Sequence, residues 1–251
     1  MAKRIAWSAG HGYNTPGKRS PQDEREWTFN DKVVDAGMLF LAKYEDVQQL
    51  RVDDPSGAVD APLVARTNQA NYFKADLYVS CHHNALAGVW GNHGGVETFT
   101  HPQSSKASKE IAAVIHPKVV KAMGISDRGL KTANYHDLRE SDMPAVLVEG
   151  GFMDSRIDIK KMRDDKHLRA QGEAIAKGIA EYFGLKLKGV SEPSEVKGVS
   201  IVEYKKDAQP SKSLAAEWKK GIELDITDGS YPQKPATKEE VVAMIVRGLR
   251  K

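Results

Sequence analysis

Short apolar runs rich in β-forming residues alternate with amphipathic helical segments along the first 185 residues of the chain. No other feature constrains the fold as strongly, because strands separated by helices favour a sheet that is covered on both faces. We therefore predict an α/β fold with an open mixed, mostly parallel sheet and helices on both faces. The runs that predict strands are Lys3–Ser8, Leu77–Cys81, Gly95–Thr100 and Ala145–Glu149.

Three segments between or after these runs predict helices. An apolar stripe with helical spacing spans Trp27–Leu41, and Ser108–Met123 forms a second helix in which Pro117 predicts a break or kink. The third helix, Leu168–Phe183, ends before Gly184, which is a typical stop signal.

Charge is distributed unevenly and indicates a boundary near residue 185. Residues 1–185 contain 24 basic and 24 acidic side chains, whereas residues 186–251 contain 13 and 10 and so account for the whole net charge of +3. Glycine, proline, serine and lysine without helical periodicity fill the start of this tail. We predict a large domain over residues 1–185, a linker over residues 186–210 and a small helical domain over residues 211–251.

Composition excludes several classes of protein. A net charge of +3 gives no basic field for nucleic acid, and the single cysteine, Cys81, excludes both a disulfide within the chain and a multi-cysteine zinc site. No apolar run approaches the roughly 20 residues of a membrane span, and the first residues lack the long apolar core of a conventional signal peptide. We expect a soluble protein made in the cytoplasm, with neither nucleic-acid nor membrane partners.

Three of the predicted strands run directly into histidine, glutamate and glycine. His11 follows the first strand, His82 and His83 follow the second, and Glu149 ends the last. Ligand crevices in open α/β sheets lie beyond the carboxyl ends of the strands, so these side chains would converge if the strands are parallel neighbours. Two histidines with a carboxylate are typical of catalytic zinc, which keeps a fourth position for water. The alternative is that the histidines are solvated loop residues.

Four short motifs, in order and with matching spacing, carry a resemblance to a known family over roughly residues 3–184. The chain resembles the zinc-dependent N-acetylmuramoyl-L-alanine amidases, and among them the branch that includes bacteriophage endolysins and sporulation amidases. An arginine and an asparagine within Ala65–Asn71 also fit the family pattern. The four motifs are Gly10-His11-Gly12, Glu26–Asn30, Ser80–Ala85 and Pro144–Phe152.

The resemblance implies one zinc ion per chain, with His11, Glu26 and His82 as its ligands. Reasoning from the residues alone does not decide whether His82 or His83 is a ligand, or whether Glu24 or Glu26 is. The resemblance selects His82, and it selects Glu26 at the first turn of the first helix.

The resemblance also assigns the proton transfers. Glu149 matches the glutamate that takes a proton from the attacking water and passes it to the departing amine. Asn30 is implied as a supporting neighbour. One position departs from the family, because Ser8 stands where an aspartate is frequent, so an acidic partner for His11 is in doubt.

The implied function is hydrolysis of the amide that joins the lactyl group of N-acetylmuramic acid to L-alanine in peptidoglycan. The chain would be a lytic enzyme of phage type that acts at the cell wall after release from the cytoplasm. Two alternatives stay open: a zinc peptidase that cuts within the stem peptide, and a non-catalytic cell-wall-binding protein.

Other candidate residues favour structural roles. Cys81 and His82 point to opposite faces of a strand and so cannot act as a nucleophile and its base, which makes Cys81 a buried apolar filler. His83 is expected to be structural, and Arg66 is expected either to hold substrate or, preferably, to form an ion pair with Asp76.

Several histidines remain. His93 precedes a strand and could touch substrate or lie in a solvated loop, and Tyr135-His136 lies in a loop that could contact substrate. Polar neighbours predict surface positions for His101, His116 and His167.

The tail has a signature of its own. Leu214–Ile222 and Ala236–Arg247 predict two short helices, the second with a capping box formed by Thr237 and Glu240. This pattern resembles one copy of a surface-layer-homology module, which implies binding to cell-wall polymers. The alternatives are a packing appendage or a contact between chains, so we expect a monomer or a tail-mediated dimer.

Overall fold

The structure is a computed structural model and describes residues 2–189. Six strands form one sheet in the order β2-β1-β3-β6-β4-β5, and every neighbouring pair is parallel except β4 and β6. The predicted open mixed, mostly parallel sheet is confirmed. The strands are β1 (Lys3–Ala9), β2 (Val47–Arg51), β3 (Leu77–Asn84), β4 (Val96–Thr100), β5 (Asp127–Thr132) and β6 (Ala145–Phe152).

Helices cover both faces of this sheet, as predicted. On one face the apolar side chains of β1, β3 and β6 pack against α1, α3 and α6, and on the other face a smaller apolar cluster packs against α2 and α4. The helices are α1 (Glu26–Leu41), α2 (Leu63–Tyr72), α3 (Lys106–Met123), α4 (His136–Arg139), α5 (Asp158–Met162) and α6 (Asp165–Phe183).

Alternation along the strands decides which side chains reach the site. On β3, Val79 and Cys81 belong to the larger core, whereas Tyr78 belongs to the smaller one. Ser80 and His82 share the face of Tyr78 because strand side chains alternate. The site therefore lies at the carboxyl ends of the strands, beside the face that α2 and α4 cover.

Two strands and the short helices α4 and α5 were not predicted, and one long helix differs from its prediction. β2 and β5 were missed because they are edge strands with mostly polar residues, so they lack an apolar run. Of the predicted break or kink at Pro117, the break is wrong, because α3 continues through this residue. Pro117 and Ala113, whose carbonyl loses its helical partner, are both exposed, so water can satisfy that carbonyl.

The described chain continues a few residues beyond the last helix. Gly184 ends α6 in the left-handed conformation, as predicted. Lys186 then accepts a hydrogen bond from the Glu45 amide at 2.8 Å, and the Lys188 amide donates to the Lys43 carbonyl at 2.8 Å. The predicted helical domain over residues 211–251 lies outside the described residues. Among residues 2–189, none of the helices is long and apolar enough to cross a membrane.

Candidate metal and active site

The three strand ends that carry the predicted site residues are neighbours. β3 lies between β1 and β6 and is parallel to both, so the ends of all three strands meet at one edge of the sheet. His82 is paired with Glu149 in the β3–β6 ladder. The Gly10 amide donates to the Cys81 carbonyl at 2.9 Å, which brings the loop of His11 beside the end of β3.

The structure brings His11, Glu26 and His82 into one cluster. Their side-chain donor atoms all lie within 4.8 Å of one another. Glu26 Oε2 lies 3.3 Å from His11 Nε2, and Glu26 Oε1 lies 3.1 Å from His82 Nδ1. Two imidazoles and a carboxylate converging in this way form a donor set that suits zinc.

Glu26 is held in place from its own helix. It is the first residue of α1, and Asn30, one turn later, donates to Glu26 Oε1 at 3.3 Å. The same amide nitrogen donates to the Gly10 carbonyl at 3.1 Å, which ties α1 to the His11 loop. The expected supporting role of Asn30 therefore has a geometric basis, because it orients a carboxylate of the cluster.

Two features shape the loop that carries His11. A Cβ atom on Gly10 would lie 2.1 Å from Cε1 of His82, so only glycine leaves room for that ring. His11 itself has a φ of 66°, a left-handed conformation that is costly for a residue with a side chain. Arg66 stabilises this turn because it donates to the His11 carbonyl at 2.9 Å.

Arg66 does not pair with Asp76, and that prediction is wrong. Arg66 is buried, pairs with Asp60 at 3.0 Å and donates to the Ser8 hydroxyl at 2.9 Å. Asp76 instead accepts from the Arg4 amide at 2.8 Å, at the opposite end of the strands. The structural role expected of Arg66 holds, with Asp60 as its acidic partner beside Ser8.

Burial and mutual charge set the protonation of the cluster. Burial lowers the pKa of His11 to about 4 despite the Glu26 charge. Burial also works against ionisation of Glu26, but the hydrogen bond and charge of His82 outweigh it and lower the pKa of Glu26. For His82, burial lowers the pKa, while the hydrogen bond and charge of Glu26 more than compensate and raise it. The cluster thus supplies an ionised carboxylate and, at His11, a neutral imidazole.

Glu149 lies beside the cluster without a partner for one oxygen. Its Oε2 atom is buried and accepts no hydrogen bond within the described part of the chain. Burial raises the pKa of Glu149 to about 8, and the nearby Glu26 charge contributes in the same direction. A buried carboxylate with a free oxygen and a raised pKa is suited to proton transfer.

His83 and Cys81 point away from the cluster. His83 is buried, with Nδ1 2.8 Å from Asn30 Oδ1 and Nε2 3.1 Å from Gln171 Oε1, so both ring nitrogens are used structurally. Cys81 is fully buried in the larger core, and burial raises the pKa of its thiol well above the usual range. A thiol nucleophile is therefore not available here.

The other histidines have separate partners. His93 Nε2 lies 2.7 Å from Asp154, and His136 Nε2 lies 3.2 Å from the Thr67 hydroxyl. His101 and His167 are partly exposed, but the predicted surface position of His116 is wrong. His116 is buried on α3, where its ring bridges Thr98 and Asp127.

Sequence reasoning missed two buried aspartates near the site. Asp154 is fully buried, and one of its oxygens accepts from the amides of Leu86, Ala87 and Gly88, which fixes the loop after β3. Asp137 accepts from the Ser80 hydroxyl at 2.8 Å and borders a cavity of about 240 Å³ that His11 and His82 also line. Neither aspartate stands in a recognisable motif, and no signal in the sequence distinguishes them from surface acids.

Comparison with known proteins identifies relatives across the described part of the chain. The family described as N-acetylmuramoyl-L-alanine amidase matches residues 5–181. A sporulation-specific N-acetylmuramoyl-L-alanine amidase of Bacillus subtilis (strain 168) is 33% identical over 184 residues, which are 73% of this chain and 69% of the relative. The endolysin of Bacillus phage SPP1 is 33% identical over 201 residues, 78% of this chain and 72% of the endolysin.

Solved structures agree with these relatives. The N-acetylmuramoyl-L-alanine amidase from Clostridium difficile 630 superimposes with a TM-score of 0.68 at 30% identity, over 73% of this chain and 97% of that one. The catalytic domain of an amidase from Bacillus (Paenibacillus) polymyxa var. colistinus gives 0.67 at 29% identity, over 73% of this chain and 99% of that domain. The chain belongs to the N-acetylmuramoyl-L-alanine amidase family, and its function is that of a peptidoglycan amidase.

Proposed function

We propose that this amidase works with one zinc ion per chain, held by His11, Glu26 and His82, and that Glu149 carries the proton transfers. The observation that supports this most strongly is the convergence of the three donor groups within 4.8 Å. The substrate bond is the amide between the lactyl group of N-acetylmuramic acid and L-alanine.

The residues present fit a catalytic zinc ion. Two imidazoles and one carboxylate are a common catalytic donor set, and it leaves a coordination position for water or substrate. The hydrogen bonds around the ligands also suit a zinc site, because Asn30 orients Glu26. When bound in such a site, zinc lowers the pKa of water and polarises the scissile carbonyl.

Glu149 then has a defined task. Its partnerless oxygen accepts a proton from the attacking water, whose oxygen bonds to the carbonyl carbon. The same carboxyl passes that proton to the nitrogen of L-alanine as the carbon–nitrogen bond breaks, leaving a free amine and a lactyl carboxylic acid, which then ionises by losing its proton to solvent. A cation held by His11, Glu26 and His82 would favour the ionised form of Glu149, which is the form that accepts the first proton.

We also infer a lytic role at the cell wall, with the enzyme released from the cytoplasm. The similarity to a phage endolysin over 78% of this chain supports this role. Expression in a sensitive host tests it: cells should lyse after the membrane is permeabilised and should stay intact before. Lysis without permeabilisation would contradict release from the cytoplasm.

Product analysis separates the amidase from the alternative stem peptidase. Digestion of purified peptidoglycan should release peptides with a new amino-terminal L-alanine and glycan strands with a free lactyl carboxylate. A peptidase would instead leave L-alanine attached to the glycan. Peptides that begin at a later residue would overturn the proposal.

Metal analysis tests the ligand set. The intact protein should contain one zinc per chain, and His82→Ala should lose most of it together with activity. His167→Ala is the matched control, because that histidine is partly exposed and contacts Asp164 on the surface. Unchanged zinc content in His82→Ala would exclude it as a ligand.

A further inference from the structure

We propose that Arg128 and Lys131 form a carboxylate-binding subsite beside Glu149, which holds the free α-carboxylate of the second residue of the stem peptide. The inference rests on the proposed function and names a group of the substrate on which that function acts. It starts from an irregularity in β5, the edge strand that β4 separates from the Glu149 strand β6.

A bulge brings the two cations together. In the β4–β5 ladder, one residue of β4, Glu97, lies opposite two residues of β5, Arg128 and Gly129, and Gly129 has a φ of 81°. In a regular strand, positions 128 and 131 would face opposite sides of the sheet. With the extra residue, Arg128 and Lys131 both reach the carboxylate of Glu97.

Arg128 is held in place by contacts that do not use the two terminal nitrogens of its guanidinium group. Its Nε donates to Glu97 at 2.7 Å, and its guanidinium lies 5.0 Å from the ring centroid of Phe152. Its aliphatic stem passes over Gly95, where a Cβ atom would lie 2.8 Å from Arg128 Cγ. None of the described residues accepts a hydrogen bond from its two terminal nitrogens. A guanidinium held in this way is preorganised to bind a carboxylate through both nitrogens.

The subsite lies within reach of the scissile amide. Glu97 is directly opposite Glu149 in the antiparallel β4–β6 pair, where Cβ atoms are about 5 Å apart. Asn84, two residues after His82, donates to the second oxygen of Glu97 at 3.0 Å. An extended peptide advances about 3.5 Å per residue, so the residue after L-alanine reaches the cations when the amide is beside Glu149.

Charge favours an anionic ligand. Glu97 is buried and neutralises one positive charge, yet two cations contact it, and it is the salt-bridge partner of both within the described part of the chain. The side chains of Arg128 and Lys131 are 36% and 37% exposed. The two cations therefore outnumber the one carboxylate that they contact, and both side chains keep exposed surface at which a further anion can bind.

The substrate offers a matching group. In stem peptides the residue after L-alanine is D-glutamate linked through its γ-carboxyl group, so its α-carboxyl group is free in some walls and amidated in others. A free carboxylate can accept from the guanidinium fork and from the ammonium group, whereas a carboxamide brings no charge. The enzyme should therefore prefer walls in which this group is free.

Two N-acetylmuramyl tripeptides that differ only at this group, free acid or carboxamide, test the subsite with the full-length, zinc-loaded protein. The intact enzyme should show a kcat/KM about tenfold higher for the acid, as expected for a lost charge-assisted hydrogen-bond pair. Arg128→Gln/Lys131→Gln should lower this ratio to near one, mainly through a higher KM for the acid. High salt should weaken the preference. Lys106→Gln/Arg169→Gln removes the same charge from exposed helical positions and should keep the preference.

Two further measurements keep the outcome unambiguous. Lys131→Gln alone leaves Glu97 its arginine, so a partial loss of preference is expected even if the double variant unfolds. Binding of both tripeptides to Glu149→Gln by calorimetry reports the subsite without turnover. Equal binding of acid and carboxamide would overturn the subsite, whereas a clear acid preference without cleavage by the intact enzyme would instead contradict the proposed amidase reaction.

Discussion

Glu149 is the residue on which the proposed proton transfers depend. Glu149→Gln keeps the shape of the side chain but removes the basic oxygen, so the variant should retain zinc and lose about 10²–10⁴-fold in kcat. Zinc content and hydrolysis of a soluble muropeptide measure the two effects. Glu110→Gln, at an exposed pair on α3, is the control. Near-normal turnover would rule out the role, and loss of zinc would make Glu149 a ligand.

Glu97 should give the stability of the protein a pH dependence. Burial raises the pKa of Glu97, but its hydrogen bonds to Lys131 and Arg128 outweigh burial and lower the pKa below its usual range. Because the folded-state pKa is lower than the unfolded one, the stabilisation is complete above the unfolded pKa and is lost as pH falls through the folded pKa. Glu97→Gln should therefore cost about 1.5–3 kcal/mol in the free energy of unfolding at pH 7.

Urea unfolding at several pH values checks this prediction. The difference in unfolding free energy between the intact protein and Glu97→Gln should shrink as the pH falls below the usual pKa of glutamate, about 4.3. Glu110→Gln should show a small difference at every pH, because surface ion pairs contribute little. A Glu97→Gln difference that stays constant with pH would mean that the carboxylate charge adds nothing to stability.

At the residue scale, the sequence predicts which residues belong to the site better than it predicts which residues they contact. The sequence predicted His11, His82 and Glu149, because a histidine or glutamate directly after an apolar run can be recognised without the structure. The choice between His82 and His83 required the structure of the sheet. The larger core shows which face of β3 is packed against helices and therefore which of the two histidines lies on that face. The partner of Arg66 could not be predicted, because Asp60 approaches it through a loop and Asp76 lies at the other end of a strand.

At the element scale, the α1–α6 contact fixes the position of the ligand-bearing helix. Gly172 of α6 faces the backbone of α1, where a Cβ atom would lie 2.2 Å from the Val33 carbonyl oxygen and 2.7 Å from the Gly37 nitrogen. Backbone atoms cannot move aside as a flexible side chain can. The close approach allows α1 to hold Glu26 at the end of β3.

Gly172→Ala should therefore destabilise the protein. Alanine favours a helix by about 1 kcal/mol, but the clash with two backbone atoms should outweigh this and leave a net loss of about 1–3 kcal/mol. Urea unfolding measures the loss, and zinc affinity should fall as α1 shifts. Lys177→Ala, at an exposed position of the same helix, is the control and should be nearly neutral. An unchanged midpoint of urea unfolding for Gly172→Ala would show that α1 and α6 can move apart without a loss of stability.

Elements with an apolar face were predictable from the sequence, and elements without one were not. The three longest helices and the four central strands carry such faces and were predicted. β2 and β5 pair only at the edges of the sheet, so their polar residues need no burial and leave no pattern. The bulge in β5, on which the proposed subsite depends, follows from the register with β4, which no local sequence signal encodes.

At the scale of the whole molecule, the net charge lies beyond residue 185, and Lys186 and Lys188, which belong to the described part, carry two of its positive charges. Residues 1–185 are neutral, and residues 186–251 carry the net charge of +3. Bacterial walls contain anionic polymers, so a weakly binding basic tail would raise the local concentration of substrate without altering the zinc site. The competing explanations are that the tail stabilises the fold or joins two chains into a dimer.

A chain that ends after Gly189 tests these explanations and keeps the hydrogen bonds of Lys186 and Lys188 to the turn after α1. We expect it to stay folded, to bind zinc and to hydrolyse small muropeptides at the rate of the full chain, while binding intact cell walls more weakly. Co-sedimentation with purified walls at low and high salt measures the difference. The shorter chain keeps Lys186 and Lys188 and loses a net charge of only +1, so salt should reduce the difference only slightly. Equal sedimentation of both chains, together with unfolding or zinc loss in the shorter one, would show that the tail stabilises the fold, and a change from dimer to monomer would show that it joins two chains.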